Sequence, residues 1–424
     1  MGRRVAGWLE RASPPAFSAY AIVAAFCAYF CMYGFRKPFA AATFEGTGIA
    51  GLDLKTTLVL AQVLGYTLSK FLGVKLVTEL AAHRRAVVLV GLIVGAELAL
   101  LAFGLLPPHL RIWAIFCNGL PLGAVWGLVF GFLEGRRTSE ILGAGLSASY
   151  IVASGAVKSV GAALLGQGIP EAWMPFVTGL LFLPPFLLAV WSLAQLPPPA
   201  PEDIDARTRR MPMTGSERRT FFVRYAVGLL LLTGLYTLLT AYRDFRDNFA
   251  AEIWQAVGQS GKPELFTLSE IPVAFAVLLG LALLYRIRDN RRAFFAVHAM
   301  MAAGTMLIGG ATLLFDLGML SALPWMILIG VGLYLAYVPY GCVLFDRLIA
   351  SAGSAGTAVF MIYVTDAFGY AGSIGVLSYK LFGQPDLSWL AFFRGFSYVT
   401  AIVCTAAFVG SAWYFARRIP RTES

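Results

Sequence analysis

The chain has 424 residues, 58% of them hydrophobic and 13% charged, with a formal net charge of +10. Soluble domains carry about 25% charged residues, so the composition excludes an ordinary water-soluble domain. The basic excess would suit nucleic acid, but its placement follows membrane loops instead, and no nucleic-acid partner is expected.

The first fifteen residues are short and basic, and the apolar run behind them is long enough to span a bilayer. That predicts a retained segment rather than a cleaved leader. Gly2 follows Met1, but Ala6 stands where myristoylation needs Ser or Thr. The first run contains residues 29–39, YFCMYGFRKPF, and so carries Arg36 and Lys37 at membrane depth. Each such cation costs roughly 2.5–3.5 kcal/mol unless an anion meets it. Tyr29, Tyr33 and Arg36 are spaced i, i+4, i+7, so one helix face carries two phenols and a guanidinium. That stripe suits an oxyanion.

A spanning helix needs about 20 mostly apolar residues. Twelve segments qualify: 17–42, 57–80, 86–106, 111–133, 141–166 and 173–195, then 221–249, 264–285, 293–315, 322–345, 355–381 and 388–415. The pattern predicts an all-α polytopic membrane protein with six helices in each of two halves, 1–195 and 221–424. Between them, 196–220 is rich in Pro and charge and reads as a cytoplasmic linker. With both termini inside, twenty arginines fall in the inner segments, among them Arg84, Arg85, Arg136, Arg137, Arg291 and Arg292. Only Lys55, Arg111, Lys262 and Lys380 fall outside. This positive-inside bias sets the expected orientation in a bacterial inner membrane. The five cysteines, Cys27, Cys31, Cys117, Cys342 and Cys404, lie in apolar runs without metal-site spacing, which predicts small buried thiols.

The halves repeat weakly. Gly73 precedes Arg84 and Arg85 as Gly280 precedes Arg291 and Arg292, at an offset of 207; the same offset maps Tyr29 onto Tyr236 and Arg36 onto Arg243. Parallel repeats of this kind are a transporter signature, with the site between halves near mid-membrane. Further ionisable groups at membrane depth are Lys70, Glu97, Lys158, Asp244, Arg246, Asp247, Glu270, Asp366 and Arg394. By helical rise Arg36 falls toward the outer side and Lys70 nearer the centre, so one small ligand is not expected to touch both. Two readings of the arginines stay open. Arg36 and Arg243 grip one substrate anion with guanidinium forks, or Arg36 pairs with Asp244 or Asp366, and Arg243 with Asp247 at i+4. Lys70 is either a cavity cation or a partner of Asp366. Asp366 has a Gly-rich setting for close packing and can carry a proton; Glu270 precedes Pro272 and can mark a helix bend. His298 reads as a satisfied core histidine.

At these residues the chain resembles the major facilitator superfamily, and within it the organophosphate:phosphate antiporters. The loop GVKLVTELAAHRR is similar to the superfamily's signature loop, with Glu79 near the acidic position and no central Arg. Tyr29, Tyr33, Arg36 and Lys37 match the first-helix motif of the phosphate-ester carriers, where the tyrosines and Arg contact substrate phosphate. GYTLSKF, with Lys70, is similar to their second-helix motif, and Arg243 takes the place of their helix-seven arginine. The chain departs in having no histidine in 141–166, where Lys158 lies, and in Asp244 and Asp247 beside Arg243. It also looks like a bacterial group of such proteins of unknown function.

The resemblance implies a secondary transporter that works as a monomer in the lipid bilayer on a small anionic solute, organophosphate or phosphate-like, by exchange or proton coupling. Arg36, Arg243, Tyr29, Tyr33, Lys37 and Lys70 are the expected substrate contacts, and Asp366, Lys158, Asp244 and Asp247 the coupling or gating groups. No cofactor is expected. The alternative is a transporter-shaped sensor that binds an anion without moving it. An enzyme is disfavoured, because no phosphate loop, metal cluster or nucleophile elbow occurs in the sequence.

Overall fold

The structure is a computed structural model that describes residues 2–46, 48, 53–134, 136, 138–199, 215–352 and 359–419. The side chains of 73–79, and with them Glu79, lie outside the described residues, as do Arg137 and most of the expected linker. Without water to pair backbone groups, an apolar run in lipid becomes a helix, and each of the twelve expected segments is helical. In chain order they are α1 (Pro14–Met32), α2 (Leu54–Glu79), α3 (Arg85–Leu105), α4 (Pro108–Leu122), α5 (Ser139–Gly166) and α6 (Met174–Ala194). The second set is α7 (Gly215–Asn248), α8 (Ile271–Tyr285), α9 (Asn290–Asp316), α10 (Ala322–Tyr337), α11 (Val359–Ser378) and α12 (Trp389–Arg418). Among the described residues, ten helices are long and apolar enough to cross a membrane. Large apolar side chains such as Val87, Phe275 and Ile402 are 70% exposed or more, which is the surface that acyl chains solvate.

Several spans are broken where one helix was expected, and prolines explain most breaks. The first does not run to residue 42: after Met32 it tightens into 3₁₀ turns at Tyr33–Phe35 and Pro38–Ala41. A proline at 38 has no N–H and its ring would strike the carbonyl of residue 34 in an α-helix. The fourth span stops at Leu122, after Pro121, and resumes as Val125–Gly131. The eighth is a short helix Glu264–Leu268 followed by α8, with Pro272 in its first turn. The tenth passes from α10 to Pro339–Cys342 and Leu344–Ser351. The cysteines are free; Cys31, Cys342 and Cys404 are buried as expected, but Cys117 is exposed on α4, on the apolar outer surface where a thiol is as well placed as in a core.

The chain divides into two compact units. Unit 1 comprises Met1–Ala200, Asp247–Leu268 and Leu377–Pro385; unit 2 comprises Pro201–Arg246, Ser269–Val376 and Asp386–Ser424. In unit 1, α2 and α4 approach at backbone distance: a Cβ on Gly65 would strike the Phe116 carbonyl oxygen, and one on Gly119 would lie 2.5 Å from that of Gln62. In unit 2, Gly369 and Gly372 bring α11 against α7, where a Cβ would meet Thr240 at 2.7 Å and would strike Thr237. Small residues let helices touch this closely. Both contacts set the neighbourhoods described next.

Candidate functional site

In unit 1 the broken end of α1 exposes carbonyls that an intact helix would have used. Polar side chains from the neighbouring helices take them. Asn118 Nδ2 donates to the Phe35 and Ala96 carbonyls, both at 3.0 Å, and Gln62 Nε2 donates to the Arg36 carbonyl at 2.9 Å. Gln62 also donates to Asn118 Oδ1 at 2.8 Å, so the two amides lock one another. A buried backbone group left unpaired is costly, so this lock is what permits a 3₁₀ turn inside the bundle.

The turn presents the expected stripe. The Tyr29 and Tyr33 rings meet edge to face at 5.7 Å, and the Arg36 guanidinium carbon lies 5.9 Å from the Tyr33 centroid. It lies closer, at 3.8 Å, over the ring of Tyr66 on α2. Lys70, one turn further along α2, has its ammonium 5.4 Å from the same ring. Arg36 and Lys70 are therefore not separated by depth as simple helical rise suggests: the 3₁₀ turn and the Gly65–Gly119 contact bring both cations onto Tyr66. Tyr66 carries no weight in the sequence reading, although it stands in GYTLSKF four residues before Lys70, the spacing that stacks side chains on a helix.

Lys37 points elsewhere in unit 1. Its ammonium is 2.6 Å from Asp247 Oδ2 and donates to Asn248 Oδ1 at 2.7 Å. Lys158 donates to Asp247 Oδ1 at 2.7 Å and to the Asp247 carbonyl at 2.9 Å, and Ser154 also donates to Asp247. Lys55, expected as an outer-loop cation, is 1% exposed and pairs with Glu252 at 2.5 Å. The second half of the sequence thus supplies the carboxylates, through Asp247–Leu268, and the first half the lysines.

In unit 2, Arg243 turns to Asp244 and not to Asp247. Its Nε and Nη2 donate to Asp244 Oδ1 at 3.2 and 2.8 Å, and Ser373 Oγ on α11 donates to Asp244 Oδ2 at 2.8 Å. Nη1 donates to the Tyr337 hydroxyl, and Nη2 also reaches the Tyr370 hydroxyl at 3.3 Å. Tyr236, stacked on Tyr337 with centroids 4.9 Å apart, donates to the Tyr337 hydroxyl at 2.8 Å and to Asp366 Oδ1 at 3.2 Å. Tyr334, Tyr337 and Tyr340 recur every three residues along the tenth span, a spacing visible in the sequence that carries no weight there. Arg246 is committed to Glu270 at 2.7 Å and to the Met326 carbonyl at 3.0 Å, so Glu270 is an ion-pair partner at the N-cap of α8. His298 is a packed histidine, bonded to the Phe294 carbonyl at 3.0 Å. Among the described residues no three His, Cys, Asp or Glu side chains converge to hold a metal.

Solved structures share this fold. The chain is similar over 97% of its length to a D-xylose-proton symporter, of which 99% is covered, with a TM-score of 0.65 at 12% identity. It is similar to a peptide transporter in complex with sulfate at 0.62 and 13%, covering 98% of this chain and 99% of that one. A human organic anion transporter matches at 0.57 and 16%, over 94% and 99%. At such identities the likeness is one of fold: the all-α transporter architecture of the major facilitator superfamily, in a multi-pass membrane protein. Residues 38–418 match a family of unknown function, DUF5690, and the chain belongs to that family. No curated protein sequence matches it.

Proposed function

We propose that the chain is a secondary transporter of a small anionic solute, a phosphate ester or phosphate-like compound, working by alternating access in a bacterial inner membrane with both termini cytoplasmic. The observation that carries this reading is the pair of cations, Arg36 and Lys70, over the one ring of Tyr66. A ring takes the flat face of a guanidinium, whereas an oxyanion is gripped by its N–H edge. Stacking therefore orients the Arg36 guanidinium. Lys70 adds field from the same side, and Tyr29 and Tyr33 shape the wall. Arg243 is the matching guanidinium of unit 2. Lys37, Lys158 and Asp247 bind one another and support the site in this reading, and the arginine bias of the inner segments supports the orientation.

Millimolar glycerol 3-phosphate is expected to raise the unfolding temperature of the purified chain, and Arg36→Ala to abolish that shift while keeping the chain folded. Absence of a shift with any phosphate, sulfate or carboxylate compound would sink the reading. Counterflow of the same ester in proteoliposomes separates a transporter from a sensor, since a sensor binds without flux.

A further inference from the structure

Glu97 stands apart from the ion pairs of unit 1. It lies in the middle of α3 and is 6% exposed. Among the described residues, neither of its carboxyl oxygens has a hydrogen-bond partner. Ile93 and Leu100, one turn away on either side along the same face, are buried. The carboxyl rests on α6 at Gly179: a Cβ there would strike Oε2 and lie 2.9 Å from Oε1. The hydroxyl of Thr178 beside it is committed to the Met174 carbonyl, at 2.8 Å.

We propose that Glu97 is a proton-binding site: it holds a proton in this arrangement of unit 1, and that proton is linked to the substrate anion through the turn that carries Arg36. The link rests on the reading of the chain as an anion transporter, and it makes transport a symport of anion and proton.

The chemistry is one protonation. In an apolar seam between helices, an ionised carboxylate without a donor is far costlier than the neutral acid. One proton from solvent on a carboxyl oxygen removes the charge, and no other bond changes. A carboxyl kept only for structure would have donors on it, since buried polar groups are hydrogen-bonded with few exceptions. A leucine or methionine would fill the seam with no polar atom left over. The acid therefore lets the seam between α3 and α6 stay closed, and the carboxylate draws it open toward water.

That seam holds the turn. One residue before Glu97, the Ala96 carbonyl accepts from Asn118 Nδ2 at 3.0 Å, and the same nitrogen donates to the Phe35 carbonyl. Gln62, bonded to Asn118, donates to the Arg36 carbonyl. From the other side α6 packs on the turn directly: a Cβ on Gly34 would meet the Phe182 Cβ at 2.6 Å, and the Phe35 and Phe186 rings meet edge to face at 6.1 Å. An opened seam loosens both grips. A proton on Glu97 and the placement of Arg36 thus favour each other, and by linkage a proton at Glu97 and an anion at Arg36 strengthen one another's binding.

The elements packed against α3 bring few ionisable groups to it. α6 and the short helix Val125–Gly131 carry none. On α4, His109 and Cys117 are exposed, and Arg111 donates to the Leu106 carbonyl at 3.1 Å and lies over Phe103, at the C-terminal end of α3. At the N-terminal end, His83 and Arg84 are exposed and Arg85 donates to the Gly131 carbonyl. The turn itself contributes Tyr33, whose ring meets that of Tyr29.

The test reads the proton first and the link second. Infrared difference spectra of the purified full chain at neutral pH, wild type minus Glu97→Gln, should contain a carboxylic acid C=O band that shifts in heavy water. Gly179→Ala, which sets a methyl group against the carboxyl, should displace or abolish the same band, and it keeps the proposal testable where Glu97→Gln does not fold. Binding of glycerol 3-phosphate is then measured by calorimetry over about pH 7–9, below the ordinary range of lysine and tyrosine. The ester's own titration is common to both proteins and cancels in the comparison. Wild-type affinity should fall with rising pH, approaching about tenfold per pH unit where one proton is bound with each ester. Affinity of Glu97→Gln, whose neutral amide stands in for the acid, should stay level. Matching infrared spectra, a band that ignores Gly179→Ala, or equal pH profiles of affinity in wild type and Glu97→Gln each overturn the proposal. If wild type binds the ester while the spectra match, the anion-transport reading stands and this inference alone falls. If wild type binds no ester, both fall.

Discussion

Arg36 and Arg243 occupy matching places in the two halves of the sequence, 207 residues apart, and each guanidinium lies against tyrosine rings of its own unit. In unit 1 the guanidinium lies over a ring, Tyr66, and the turn that carries it is pinned by amides. In unit 2 the guanidinium is paired with a carboxylate and bonded to phenols. Two carboxylates of unit 1 are held by lysines: Asp247 by Lys37 and Lys158, and Glu252 by Lys55. Three of unit 2 are held by arginines: Asp244 by Arg243, Glu270 by Arg246 and Asp316 by Arg394. A lysine can shed its proton when its partner leaves, whereas an arginine cannot. Arg243 and Arg246 therefore keep their charge whatever their partners do.

The largest expected effect breaks that contrast at its strongest point. Asp247→Asn leaves two buried ammonium groups on one amide, and removing one side of a buried pair costs about 3–5 kcal/mol. Glu270→Gln strands Arg246 in the same way. Both variants should unfold at lower temperature in neutral buffer. An unchanged unfolding temperature in either variant would show that its ion pair carries no energetic weight.

A smaller effect tests the amide lock. Asn118→Ala removes donors from the Phe35 and Ala96 carbonyls and an acceptor from Gln62. Leaving buried carbonyls unpaired costs about 1–3 kcal/mol. The loss should show in thermal unfolding and, because the turn carries Arg36, in weaker ester binding as well. Asn118→Ala that lowers stability but leaves ester affinity untouched would separate the lock from the site.

These amides mark where the sequence stopped being legible. The twelve apolar runs, the all-α class and the cation stripe of α1 can be read directly, because each is written in contiguous residues. Pro38 also announces that α1 cannot continue, although composition alone carries the run on to residue 42. Gln62, Tyr66, Asn118, Tyr337 and Ser373 are different. Each acts across to another helix, and that depends on the rotation of two apolar cylinders about their axes. In lipid the outward face is apolar too, so hydropathy does not encode the rotation. The spacing of Asp247 four residues after Arg243 misleads for a related reason. It places them on one face of α7, yet Asp247 stands in the last turn, where its carboxylate reaches Lys37 and Lys158 before any arginine.

The smallest expected effects ask which part of a tyrosine each arginine uses. Tyr66→Leu removes the ring under Arg36 and Lys70 and keeps a smaller apolar side chain. A cation–π contact is worth about 0.5–2 kcal/mol, so ester affinity should fall by roughly two- to thirtyfold. Tyr337→Phe makes the opposite cut. It keeps the ring that stacks on Tyr236 and lies 4.6 Å from the Arg243 guanidinium carbon, and it removes the hydroxyl between them. One neutral hydrogen bond contributes about 0.5–1.5 kcal/mol net, so Tyr337→Phe should loosen Arg243 by a correspondingly small factor. With the phenol gone Arg243 is less well positioned, and the expected sign on ester affinity is a decrease. An increase would mean that Tyr337 holds Arg243 back from the substrate, and the phenols of unit 2 would then work against binding and not for it.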